Sequence, residues 1–480
     1  MLGSGVERAH YTEGFLVTSG PLPHMKKVII ATLHTVFQYL FFAALGAALI
    51  AFDPFGVGND TENAWQDVLY RLLAPLYDST SRDDILVVLV TEETTTHLYE
   101  EGYFRANEWP LTYADQGRLI SDLLAWKPRA LFVDINFRIE RSTDDSFDTL
   151  ARRLSRQTDD EPRIPILWAR DDAGTPLLPF QHKLDDLGDF SVNGWRGIGG
   201  YPLSVEDQHT VAVDLYRIAC PPDAPLAGCE VLWDDAFDVL DRPMSVIWGN
   251  RVPTPPIPSL INDARCMPAE NTGLDLAWRA AQSLWMGLLG FDNNDLLQRC
   301  PYHAVIYADQ LIALKRYGTP EQQAAFAERL QDRILMYATD LIGLHDVVQS
   351  PAHGELPGVM YHAMALDNLM TLGSGYIRAV DGETDNILAW LVLAWVFVLC
   401  QRFGLDAKTT FLVCTLMLVG SSIVQVIWLR LEPSNAIGLL GFVAGIQILI
   451  RLDPGNLTSE LRRLRARLVY RIMRKHRTSS

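Results

Sequence analysis

Three long apolar runs close to the C-terminus, at 387–400, 409–429 and 434–450, constrain this chain more than any other feature. A helix crosses a bilayer with roughly 17–25 mostly apolar residues, so each run is read as a span, the first extended to 405. None contains Asp, Glu, Lys or Arg. Pumps and ion-coupled transporters carry such charges along their path, so the runs read as an anchor rather than a conduit. Gly441 and Gly445 form a small-xxx-small pattern, with Gly438 one turn earlier, which predicts close helix packing in the last run. A fourth apolar run, 28–52, follows Lys26 and Lys27. It is too long for the core of a signal peptide and is read as an uncleaved first span.

Charge gives an orientation. After Asp453 the chain carries Arg462, Arg463, Arg465, Arg467, Arg471, Arg474, Lys475 and Arg477, and the stretch 401–408 after the apolar run 387–400 carries Arg402 and Lys408. The positive-inside rule then predicts a cytoplasmic segment 1–27, spans at 28–52, 387–405, 409–429 and 434–451, and a cytoplasmic tail, 452–480. Residues 53–386 are expected outside the membrane. The chain's net charge is −17 although its termini and apolar segments are net basic, so the outer segment is strongly acidic. That balance argues against nucleic acid as its partner. Of six cysteines, Cys220, Cys229, Cys266 and Cys300 fall in the outer segment. An even number there predicts two disulfides in an oxidising compartment, and Cys220–Cys229 with Cys266–Cys300 is the preferred of three pairings because the first pair flanks a tight Pro-rich loop.

The outer segment reads as α/β. Residues 84–91 and 130–137 are β-branched runs of the kind buried on both faces of a parallel sheet, and 113–126 between them has helical apolar spacing. Further helices are expected near 64–73 and 146–157, a strand at 164–169, a strand and helix at 304–315, and a strand at 333–340. Residues 253–258 read as a rigid Pro-rich segment, and 274–289 as a buried helix.

The valine-rich strand ending in Glu92 and Glu93, Trp109-Pro110, and the Phe-Val-Asp-Ile-Asn-Phe strand at 132–137 together resemble the CHASE2 family of extracytoplasmic sensory domains. A later match joins Gly343, Asp346, Ser350-Pro351, Pro357-Gly358-Val359, His362-Ala363 and Ala365-Leu366-Asp367-Asn368-Leu369. Three spans directly after the domain match as well. The resemblance implies an α/β extracytoplasmic domain on membrane helices. Receptors of this kind often carry an output domain after the last span, whereas about 28 residues follow it here. The expected function is therefore a sensor or receptor subunit that signals to a separate cytoplasmic effector. The alternative is a subunit of a membrane complex whose outer domain serves assembly.

In open parallel sheets ligands sit beyond the carboxyl ends of the strands. The candidate ligand residues are therefore Glu92, Glu93, Trp109, Asp134, Asn136, His345, Asp346, His353 and His362, a set suited to a cation, a polyol or an amine. The same carboxylates could instead cap helices, and His362 could be a satisfied core histidine. No nucleophile–base pair, phosphate-binding loop, dinucleotide fingerprint or zinc spacing is present, so neither an enzyme nor a cofactor is expected. The tail places Leu457, Leu461, Leu464, Leu468 and Ile472 on one helical stripe among arginines. Such a helix lies on the anionic inner leaflet or presents Leu461, Leu464 and Leu468 to a partner. The expected partners are the lipid bilayer, an outer ligand and a cytoplasmic output protein, with a homo-oligomer as a further option.

Overall fold

The computed structural model describes residues 22–53, 58–140, 146–156, 163–194, 200–226, 229–230, 242–251, 301–344, 346–380 and 382–451. Cys266, Cys300, His345, the segments 253–258 and 274–289, and the tail with Leu461, Leu464 and Leu468 lie outside them. The chain divides into two units.

The larger unit, 57–382 with 419–438, is built on a six-stranded, wholly parallel sheet. Its strands are β1 (Ile85–Val90), β2 (Ala130–Val133), β3 (Ile166–Arg170), β4 (Asp189–Val192), β7 (Ala304–Tyr307) and β8 (Ile334–Thr339). Their spatial order is β4-β3-β2-β8-β1-β7. Two-residue strands β5 (Ser204–Val205) and β6 (Gln208–His209) pair with each other. So do β9 (Val347–Ser350) and β10 (Gly354–Pro357). The continuous apolar run of β1 has a direct cause. Leu86, Val88 and Val90 enter one core, and Ile85, Val87 and Leu89 enter the core on the opposite face.

Handedness explains which helix covers which face. Chain passing from β1 to β2, β2 to β3 and β7 to β8 moves across the sheet in one direction. The helices on these passages are α3 (Glu92–Glu100), α4 (Tyr113–Leu124), α5 (Phe147–Ser155), α7 (Ala308–Tyr317) and α8 (Pro320–Leu330). All pack on the face of Leu86 and Val88, through residues such as Leu98, Leu119, Leu150, Leu311 and Phe326. The return from β4 to β7 runs the other way, and a right-handed crossover then requires the opposite face. Its helix α6 (Val211–Ala219) lies there. That face is completed by α9 (Val359–Leu372), which follows β8, and by Leu69 and Tyr70 of α2 (Gly58–Leu73).

The smaller unit comprises the described parts of 1–56, 383–418 and 439–480. Helix α1 (Leu22–Phe52) and helix α10 (Gly382–Arg402) meet at Gly46, where an added Cβ would fall 1.9 Å from the indole nitrogen of Trp390. That indole donates to the Phe42 carbonyl at 3.1 Å and meets Phe442 edge-on. Helix α11 (Ala407–Val424) ends in a π-helical turn, Gln425–Leu429, and α12 (Ala436–Arg451) follows. Among the described residues, three stretches are long and apolar enough to cross a membrane: Thr35–Phe52, Glu383–Arg402 and Ala407–Leu429. The fourth, Ala436–Ile448, is a shorter apolar helix. Phe37, Leu40, Leu388, Val392, Leu412 and Leu416 stand exposed on these helices, an arrangement that lipid satisfies and water penalises. The protein is therefore a multi-pass membrane protein. Among the described residues, an added Cβ at Gly441 or Gly445 meets nothing within 4 Å, while one at Gly438 would meet the Asn435 side chain at 2.8 Å. The tight glycine contact between membrane-length helices lies instead at Gly46, where the opposing side chain is the bulky indole of Trp390.

Candidate functional site

Strand β8 hands its chain, through β9 and β10, to α9 on one face, while its neighbours β1 and β2 hand theirs to the other. Adjacent strands that part in this way open a crevice at their carboxyl ends. Asp134 directly follows β2 there, its amide donating to the Tyr337 carbonyl of β8 at 2.8 Å. Asp346 arrives on the loop after β8, and its backbone carbonyl accepts the Gly358 amide at 2.9 Å. Both side chains are half-buried. Burial, and after it the Asp346 charge, pushes the Asp134 carboxyl up to about 8. Burial raises Asp346 as well.

Gly358 is glycine because of this carboxylate. Its backbone is ordinary α-helical, but a Cβ would stand 2.1 Å from Asp346 Oδ1. The Pro357-Gly358-Val359 motif thus lets the acid lie against the first turn of α9, where the helix dipole favours negative charge.

An aromatic wall lies on the same face. The Ala212 amide donates to the Tyr201 phenol oxygen at 3.3 Å, and Tyr201 Oη stands 2.9 Å from His362 Nδ1. That pattern fits a neutral His362 carrying its proton on Nε2. Burial lowers His362 to about 3, so it stays neutral beside the acids. Tyr361 is edge-on to Tyr201 and stacked with Trp248. His353 is buried against Trp248 and lies 2.7 Å from the Gly249 carbonyl.

The candidate residues therefore separate. Asp134 and Asp346 come together, and His362 and His353 stand behind them as hydrogen-bonded parts of the wall. Asn136 is half-buried just beyond β2. Glu92 and Glu93 are exposed in the first turn of α3, which Thr91 caps, and Glu92 Oε1 accepts the Ile342 amide at 2.6 Å. Trp109 packs against the core on the opposite face of the sheet. Among the described residues, no group of three or more His, Cys, Asp or Glu is placed to hold a metal ion.

Sequence reasoning missed Tyr201, Trp248 and Tyr361, which lie where no periodic pattern was read or carry no charge. It also passed over what Asp367 and Asn368 do, although the motif containing them was noticed. Both are fully buried. Asp367 accepts from Tyr77 and lies 3.3 Å from His303 Nε2. Asn368 accepts the Ile247 amide at 2.9 Å and donates to the Ile247 carbonyl, the Met364 carbonyl and the Tyr77 oxygen. The pair fastens α9 to the segments carrying Tyr77, Ile247 and His303. A disulfide joins Cys220, at the end of α6, to Cys229.

The CHASE2 domain family matches residues 41–403. The chain belongs to the CHASE2 family. That match covers the strands of the sheet, the acid crevice and helix α10. A CHASE2 domain is a non-catalytic sensor module, so here an extracytoplasmic sensor domain is carried on membrane-spanning helices. No curated protein matches the chain, and no solved structure matches it.

Proposed function

We propose that this CHASE2 protein is a sensor subunit whose outer domain takes a small cationic or hydroxylated ligand between Asp134 and Asp346 and signals to a separate cytoplasmic effector. One observation carries the reading. The acid pair lies at the first turn of α9, and that helix leads, after nine residues, into membrane helix α10. Fourteen residues of helix span about 21 Å, a rod that passes through the core and is fastened there by Asp367 and Asn368. A cationic ligand that takes the place of the Asp134 proton changes the charge at one end of this rod. The chain continues into the bilayer from the other.

In this reading 1–27 and 452–480 are cytoplasmic, 53–386 is outside, and Ala436–Arg451 is a fourth span. The basic tail docks the effector through Leu461, Leu464 and Leu468. Affinity purification of the tagged full chain from native membranes tests it. A soluble signalling protein is expected to co-purify and to be lost on replacing the three leucines by serine, while insertion and the Cys220–Cys229 bond persist. Recovery of other membrane subunits alone, unchanged by the tail substitutions, would instead establish the assembly role.

A further inference from the structure

The four-residue link between α11 and α12 does not hang free. Arg378, in the segment after α9, donates its amide to the Arg430 carbonyl at 2.9 Å, and the Glu432 amide donates back to the Arg378 carbonyl at 3.0 Å. Arg378 and Leu431 thereby pair as parallel strands do. The pairing is the last rung of a ladder. Tyr201 pairs with Met244 through two bonds of 2.7 Å, Met244 pairs with Arg378, and Arg378 with Leu431. One end of this ladder is the tyrosine that braces His362 in the crevice wall. The other is the link between two membrane helices.

Side chains close the arrangement. Glu432 Oε1 accepts the Ser245 hydroxyl at 3.2 Å, and Oε2 accepts the Val380 amide at 3.4 Å. Tyr70 of α2 lies 2.6 Å from the same serine oxygen. Helix α2 also holds the link from both sides, with the Trp65 indole donating to Ser422 and the Asn435 amide donating to Thr61. The backbone at the join is specialised, with the π turn at Gln425–Leu429 and Arg430 in the left-handed region at φ 55°.

We propose that the link Arg430-Leu431-Glu432-Pro433 is a releasable clasp through which the outer domain governs the last two membrane helices, and that Glu432 is its catch. The groups facing this carboxyl are Glu62, Gln66 and Tyr70 from α2, Tyr361 from α9, Ser245, and the Val380 amide. Among the described residues no cation joins them: the Arg378 guanidinium lies over the Tyr376 ring and reaches the Ser374 carbonyl. Burial raises Glu432 to about 7, with Glu62 adding to the effect. The sign follows by linkage. The closed clasp holds the proton more tightly than the open one, so closure is strongest in acid and weakens as pH rises toward 7. Release then frees the link from the ladder that reaches the crevice wall.

The inference rests on the sensor reading, but its test reads the clasp and not the signal. Hydrogen exchange is measured on the full chain in lipid nanodiscs between pH 5 and pH 8, corrected for the intrinsic pH dependence of exchange. Opening at the Arg378 and Glu432 amides is expected to rise by about tenfold or more across this range and to level off above about pH 7. In Glu432→Gln the dependence disappears. Ser245→Ala, which removes one donor, raises opening at every pH and keeps the slope. Amides of α9 stay protected in all three proteins. Equal pH profiles in the wild type and Glu432→Gln would overturn the proposal, as would clasp amides that open only together with those of α9. Neither result bears on whether a cytoplasmic effector binds the tail.

Discussion

Replacing Asn368 by leucine isolates the polar fastening of α9, because the two side chains have nearly the same shape and little cavity is created. The substitution strands the Ile247 amide and carbonyl, both of which bond to Asn368 in the buried interior. Each unpaired buried group costs about 1–3 kcal/mol. The Tyr77 hydroxyl keeps Asp367 as a partner and adds little. Leucine is the better helix former by roughly 0.5 kcal/mol, which offsets part of the loss. The net expectation is a destabilisation of about 3 kcal/mol. For a unit of this size that lowers the melting temperature by roughly 4–5 °C, which a thermal unfolding scan of the detergent-solubilised full chain would register. Hydrogen exchange supplies a local check, since the Ile247 amide should lose protection before the amides of α9. A fall of less than about 2 °C with Ile247 still protected would refute the assignment of Asn368 as a fastening.

Two further outcomes follow from the same structure. Replacing Cys220 and Cys229 by serine opens a loop closed over a sequence separation of 9 and should cost roughly 2.5 kcal/mol, read as an earlier denaturation midpoint; reduction of the wild type should give the same midpoint. The Asp134 carboxyl, raised to about 8 by burial and by Asp346, makes the folded domain bind a proton that the unfolded chain releases. Stability should therefore fall as pH rises from 6.5 to 8.5, by on the order of 1–2 kcal/mol, and fall less steeply in Asp134→Asn, where the Glu432 proton is still released. His362, lowered to about 3, costs stability only as pH falls below about 6.5, so it leaves this window clear.

What could be read beforehand was whatever repeats along the chain. Strands β1, β2 and β8 were legible because burial on both faces leaves an unbroken apolar run, and α4 because its apolar residues recur at helical spacing. Strand β2 is shorter than its run implied, since Asp134 takes its last ladder bond and the chain then turns into the crevice. Asp134 and Asp346 were legible as acids at strand ends. Their meeting was not, because it depends on β8 lying beside β2 although about 200 residues separate them. The wall of Tyr201, Trp248 and Tyr361 was hidden for a different reason. Tyr201 and Met244 join through a single bridge, and one pairing leaves no period in a sequence. Gly358 was visible as part of a turn motif, but the carboxylate that excludes a side chain there was not.

The late arrival of β8 also governs how the protein is made. During synthesis β1 and β2 emerge early, yet they do not pair with each other, because the slot between them belongs to a strand near residue 334. Until that strand is delivered, both present open hydrogen-bonding edges and apolar faces, the condition in which strands pair wrongly or aggregate. The sheet can close only after almost the whole outer domain has crossed the membrane, shortly before α10 enters it. Assembly of the sensor is thus timed by export, and helpers that shield unpaired strands on the outer side would set its yield.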